Sequence, residues 1–221
     1  MKELKKTKYW LFDLDYTLYS GDTKVFDQVD KKMSKFISEK LNVSIDEAKK
    51  IQKNYFHEYN TTLNGMIKNH DIDANEFLEF VHDVDLSFLK KDDYLKEQIS
   101  KLDGKKIIFT NGSKAHASNV TSRIGIEQLF DGVFDIVDSD FYPKPSIEPY
   151  KKIIENYKIQ PEYCIFFEDI ARNLKPAYEL GMKTVWIENN EPWAAKHSDE
   201  KFVNYKTESL TKFLKEINEN R

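Results

Sequence analysis

Two hydrophobic periods alternate along this chain. The apolar run from Tyr9 to Leu14 is short and nearly continuous, which reads as a buried strand. From about Lys24 the spacing changes, and Phe26, Val29, Met33, Phe36, Ile37 and Leu41 fall on one helical face. Ser44 and Glu47 form an S-x-x-E capping pattern ahead of a second stripe, Ala48, Ile51, Tyr55, Phe56 and Tyr59. Asp73 with Glu76 starts a further helix carrying Phe77, Phe80 and Val81. Strand spacing returns only at Lys106 to Thr110. Thereafter helix and strand alternate: helix over 113–124, strand over 133–137, helix over 147–157, strand over 164–168, helix over 171–180, strand over 183–187, and a terminal amphipathic helix over 209–217. Gly181 is placed to end its helix in a left-handed turn. Such alternation predicts an α/β fold with a parallel sheet and right-handed crossovers. Residues 1–20 and 96–221 form its core, and residues 21–95 form a helical cap inserted through hinges near Ser20-Gly21 and Lys91-Asp92.

The chemistry collects where the strands end. Asp13 and Asp15 follow the first strand and point the same way if strand geometry persists, with Thr17 two residues on. Thr110, Asn111 and Gly112 follow the second strand, Lys144 lies between Pro143 and Pro145, and Glu168 and Asp169 follow the CIFF run. In an open parallel sheet, ligands bind outside the carboxyl ends of the strands, so four distant turns can share one cleft. Carboxylates brought together there repel, by about 4 kcal/mol per pair at 4 Å and an effective dielectric near 20, and require a cation. The donors are hard oxygens with no Cys or His at metal-ligand spacing, which favours Mg²⁺.

The ordered segments FDLDYT, FTNGS, the Lys144 segment and FFEDIARN resemble the four motifs of the haloacid dehalogenase superfamily. The DLDYTLYS opening, the KPSIEPY segment, and YNTTLNGM with VHDVDLS look like its pyrimidine 5′-nucleotidase-like branch. The resemblance implies a Rossmann-like core with a helical cap, and a Mg²⁺-dependent phosphatase acting through an aspartyl-phosphate. Asp13 would be the nucleophile and Asp15 the acid/base, since the superfamily's dehalogenases lack a carboxylate at that second position. Asp13 and Asp169 would supply carboxylates to the metal, Asp15 its backbone carbonyl, and Glu168 would bind directly or through water. Lys144 would steady the charge on Asp13, while the Thr110 hydroxyl and the N–H groups of Asn111 and Gly112 would hold phosphate. A small phosphorylated metabolite is the implied partner, a pyrimidine nucleoside 5′-monophosphate in particular. A sugar-phosphate phosphatase, a phosphomutase and a silent phosphate-binding protein are the alternatives. Substrate choice belongs to the insertion, where Tyr59, Asn60, Thr61, Thr62 and Asn64 form a candidate patch; equally, Tyr55, Phe56 and Tyr59 read as helix packing. Tyr16 and Ile170 depart from residues common in relatives.

Charge and composition narrow the partners. The 34 basic and 38 acidic residues leave a formal net charge of −4, which argues against a nucleic-acid polymer. Cys164 is the single cysteine and sits in an apolar run, so it reads as inert and forms no internal disulfide. No cleavable leader or bilayer-length apolar stretch is legible, which makes a cytoplasmic protein with no membrane partner the expectation, as a monomer or weak homodimer. His82, Asp83 and Asp85 suit capping or hinge roles, because adjacent helical residues face apart. His57, His70, His116 and His197 are scattered, with no partner spacing.

Overall fold

The computed structural model describes residues 2–189 and 191–220. Six parallel strands form one sheet in the order β3-β2-β1-β4-β5-β6. They span β1 Tyr9–Phe12, β2 Lys105–Phe109, β3 Gly132–Phe134, β4 Cys164–Glu168, β5 Lys183–Ile187 and β6 Tyr205–Thr207. Register pairs Leu11 with Ile107 on one side and with Phe166 on the other, so β1 lies at the centre. The chain runs outward from β1 through β2 to β3, then crosses to β4 on the opposite side, which places the topological switch beside the carboxyl end of β1.

The strand period of two sorts side chains to two apolar layers. Trp10, Phe12, Ile108, Ile165, Phe167 and Val185 pack on one face. Leu11, Ile107, Phe109, Phe166 and Trp186 pack on the other. Phe12 and Phe167 stack at 5.0 Å across the β1–β4 pairing.

The insertion contributes α1 Val25–Leu41, α2 Ile45–Tyr59, α3 Thr62–His70 and α4 Ala74–His82. Their apolar faces share a separate cluster that includes Val29, Phe36, Ile37, Met66, Phe77 and Val81. Ser44 caps α2 by accepting from Glu47 N, and Asp73 caps α4 by accepting from Asn75 N and Glu76 N. Next comes α5 Asp93–Ser100, whose Leu95 and Ile99 join the first sheet layer with Leu214 and Ile217 of the terminal helix. The remaining helices are α6 Lys114–Ile124, α7 Ile147–Tyr157, α8 Leu174–Glu179, α9 Pro192–Ala195 and α10 Leu210–Glu219. No helix among the described residues is long and apolar enough to cross a membrane.

Several local expectations need correction. β3 stops at Phe134 because the Asp135 carboxylate accepts from the N–H groups of Lys114, Val137 and Asp138 and converts 135–138 into a turn. The expected 171–180 helix starts as a 3₁₀ turn over Ala171–Asn173. Helices α3 and α5 and strand β6 were not evident from periodicity. Gly181 does take the left-handed conformation, with φ +95°.

Candidate active site

The four strand-end segments converge on Lys144. Its ammonium is buried and donates to Asp13 Oδ1 at 2.7 Å, Glu168 Oε2 at 2.6 Å and the Phe109 carbonyl at 2.9 Å. Asn111 sets this direction from β2, because its Oδ1 accepts from Lys144 N at 2.9 Å and its Nδ2 donates to the Lys144 carbonyl at 3.4 Å. Glu168 Oε1 accepts from Ile170 N at 3.2 Å and Asn173 Nδ2 at 3.1 Å. Asp169 Oδ2 accepts from Asn189 Nδ2 at 3.0 Å, and its carbonyl accepts from Trp186 Nε1 at 2.6 Å.

One oxygen from each of Asp13, Glu168 and Asp169 lies within 4.8 Å of the others, and all three residues are buried. Burial first, then Glu168, pushes Asp13 up to about 8; the same causes raise Asp169 well above the ordinary value. Among the described residues the three carboxyl groups outnumber the Lys144 ammonium that bridges Asp13 and Glu168, so the cluster favours added positive charge. Hard oxygen donors and excess negative charge fit a divalent cation such as Mg²⁺.

Asp15 is separated from this cluster because strand pairing ends before it. Asp13 N still donates to the Phe167 carbonyl at 2.9 Å, but the chain then turns, with Leu18 N donating to the Leu14 carbonyl at 2.9 Å. Asp15 Oδ1 therefore accepts from the Tyr19 hydroxyl at 2.5 Å and meets His116 Nε2 at 2.9 Å. Burial would raise its pKa, but His116 and Tyr19 outweigh that and hold the carboxyl below its ordinary value. Tyr16 completes the turn with φ +61°, and its ring packs against Phe26. The buried Thr17 hydroxyl has no partner among the described residues.

The phosphate-binding segment is rearranged relative to expectation. Gly112 N donates to Thr110 Oγ1 at 2.9 Å, so that N–H is already engaged. The Asn111 N–H has no hydrogen-bond partner among the described residues. A Cβ at Gly112 would meet Thr110 Oγ1 at 3.3 Å and both His116 Cδ2 and His82 Nε2 at 3.6 Å, so the small residue fits the space. Ser113 caps α6 by accepting from His116 N at 3.2 Å.

A cavity of about 400 Å³ opens over these groups and continues beneath the insertion. Asn60, Thr61 and Thr62 line it, but Tyr59 does not; Tyr59 packs edge-on against Tyr55 at 5.6 Å and lies beneath Lys68. Thr61 is occupied as the α3 N-cap, Thr62 donates to the Gln52 carbonyl, and Asn64 donates to the Tyr59 carbonyl. Asn60, Thr61 and Thr62 of the patch that sequence suggested thus reach the cavity wall, with both threonine hydroxyls also engaged locally, while Tyr59 and Asn64 do not line it. Instead, Phe56 bridges insertion and core, with the Trp193 ring 5.2 Å away and the Arg172 guanidinium 4.8 Å above its face.

The histidines were the main omission. His116 occupies the first turn of α6 behind its Ser113 cap, and His82 from α4 stacks on it at 4.4 Å with an interplanar angle of 12°. Their 34-residue separation gives no spacing signal, although the helix start after FTNGS could have pointed to His116.

Comparison with known proteins decides the family. A profile of haloacid dehalogenase-like hydrolases matches residues 7–181. The chain belongs to this family. It is 32% identical over 197 residues to Phosphate metabolism protein 8 of Saccharomyces cerevisiae, covering 79% of this chain and 60% of the yeast protein. It is 26% identical over 193 residues to Glyceraldehyde 3-phosphate phosphatase of Methanocaldococcus jannaschii, covering 80% of this chain and 83% of that protein. The YfnB HAD-hydrolase structure from Bacillus subtilis, solved bound to magnesium, has a TM-score of 0.58 at 18% identity, covering 97% of this chain and 98% of that one. That last likeness bears on the haloacid dehalogenase-like fold.

Proposed function

We propose that this family member is a Mg²⁺-dependent phosphatase of small phosphate monoesters. The observation that carries the reading is Asp13 at 2.7 Å from buried Lys144, beside Glu168 and Asp169, with Asp15 held separately. Asp13 forms a bond to phosphorus while the ester's P–O bond breaks, and Asp15 delivers a proton to the departing alkoxide. Asp15 then takes a proton from water, which attacks phosphorus and releases Asp13 and inorganic phosphate. The arriving phosphate dianion raises the proton affinity of Asp15, which offsets the His116 and Tyr19 effects. Thr110 and the Asn111 N–H contact the phosphate, and Lys144 balances charge on its oxygens. Carboxylates of Asp13 and Asp169, the Asp15 carbonyl and Glu168 would hold Mg²⁺, whose chemistry is charge neutralisation at the transferring group.

The substrate reading is a pyrimidine nucleoside 5′-monophosphate under a cap formed by residues 21–95. Its support is the cavity size together with Tyr16, Phe26 and Phe56 on the wall and Asn60 nearby. Arg172 offers a buried Nε with no hydrogen-bond partner among the described residues, suited to a base carbonyl. The archaeal relative's name supports a second reading, a sugar-phosphate phosphatase. Phosphate release from UMP, CMP, purine nucleotides, glycerol 3-phosphate and hexose phosphates, with and without Mg²⁺, tests both. Chelation and Asp13→Asn should each abolish turnover; full activity of Asp13→Asn rejects the nucleophile, and uniform preference for sugar phosphates rejects the nucleotide reading.

A further inference from the structure

We propose that His116, braced by His82 from the insertion, is a positioning residue for Asp15. This rests on the phosphatase reading above and adds to it how the leaving group receives its proton. The carboxylate accepts from the Tyr19 hydroxyl at 2.5 Å and from His116 Nε2–H at 2.9 Å, both on Oδ1. Oδ2 has no hydrogen-bond partner among the described residues. Two donors on one oxygen fix the carboxyl plane and assign the transferable proton to the other oxygen. Asp15 lines the cavity that contains Asp13, so Oδ2 can serve an ester oxygen there.

His116 is 1% exposed and sits where rotation is restricted. Ser113 receives its backbone N–H, His82 lies parallel against its ring, and the Ser113 hydroxyl is 3.0 Å from His82 Nδ1. His82 ends α4, whereas Asp15 and His116 belong to the sheet unit. The insertion thus packs against the group that orients the acid. Seating of α4 and correct aim of Asp15 are coupled through one imidazole stack.

Leaving-group dependence tests this directly. A p-nitrophenyl leaving group departs without a proton, whereas an alkyl oxygen needs one. The value of kcat/KM reports the step that expels the leaving group, so it is measured with Mg²⁺ for p-nitrophenyl phosphate and for the faster of UMP and glycerol 3-phosphate. In His116→Ala, we expect kcat/KM for the alkyl ester to fall roughly 10²-fold, with a loss at least about tenfold smaller for the aryl ester. His116→Gln, which restores an N–H donor, should recover most of the difference. Tyr19→Phe should produce the same selective loss, and it carries the test with His116→Gln if circular dichroism shows His116→Ala unfolded. His82→Ala should lower the alkyl value more than the aryl value. Equal losses on both esters across these variants, or no loss, overturn the positioning role while leaving the phosphatase reading intact. A folded wild-type enzyme inert toward every monoester tested overturns that reading and this proposal with it.

Discussion

Replacing Lys144 by methionine keeps much of the stem but removes the ammonium that Asp13, Glu168 and the Phe109 carbonyl share. Asp13 is 7% exposed and Glu168 is 1% exposed, so water cannot replace the lost charge. Breaking a buried pair by deleting one member costs about 3–5 kcal/mol. At roughly 2–4 °C per kcal/mol for a chain of this size, the midpoint of thermal unfolding should fall by roughly 6–20 °C in EDTA. Adding Glu168→Gln to the Lys144 variant removes the carboxylate that the ammonium met at 2.6 Å and should return part of that loss, giving a coupling on the order of 1–3 kcal/mol in a double-mutant cycle. Lys32 and Asp83 form a pair at the same 2.7 Å, but the Asp83 side chain is 87% exposed. Lys32→Met should therefore leave the melting curve unchanged. Differential scanning calorimetry of the four proteins of the cycle and of Lys32→Met decides the matter: a Lys144→Met midpoint within about 2 °C of wild type would refute the claim that this ammonium compensates buried charge.

Other outcomes follow from the same site. In EDTA, stability should fall as pH rises from about 4 to about 8, because folded Asp13, raised from 3.8 to about 8, holds a proton that the unfolded chain has released. Urea midpoints across that range should show this slope, and Asp13→Asn should reduce it, with raised Asp169 supplying the remainder; rising stability would contradict the sign. Saturating Mg²⁺ should stabilise the wild type by about 2.7 kcal/mol at a hundredfold excess over its dissociation constant, with the gain much reduced in Asp169→Asn; thermal melts across a Mg²⁺ titration provide the check. Asn111→Ala removes both hydrogen bonds to the Lys144 backbone, so kcat should fall about tenfold or more with a smaller change in stability, as read by kinetics alongside melts. Phe12→Ala opens the stack with Phe167 and should cost about 3–5 kcal/mol in a urea titration without selectively altering KM.

Much of the fold is local enough to read from one chain. The buried strand CIFFE needs no partner to declare itself, and the stripe from Phe26 to Leu41 announces a helix by spacing alone. Weakly periodic elements escaped: α3 carries Gly65 and begins at a threonine that resembles a binding residue, while three-residue β6 exists through pairing with β5. In the site, Asp13, Lys144, Glu168 and Asp169 were legible because each follows or flanks a recognisable structural signal.

Hydrophobic spacing by itself determined the alternation of strands and helices and delivered the acidic and phosphate-binding segments to one sheet edge. Only tertiary structure decided that His82 stacks on His116, that His116 reaches Asp15, and that Phe56 meets Arg172 and Trp193. It also removed Tyr59 from the cavity wall and occupied the Gly112 N–H. The physical reason is that periodicity records which face of an element avoids water. Hydrogen bonds and ring contacts between distant segments depend on where those faces meet, and a given side chain has many sterically acceptable partners until the packed backbone selects one.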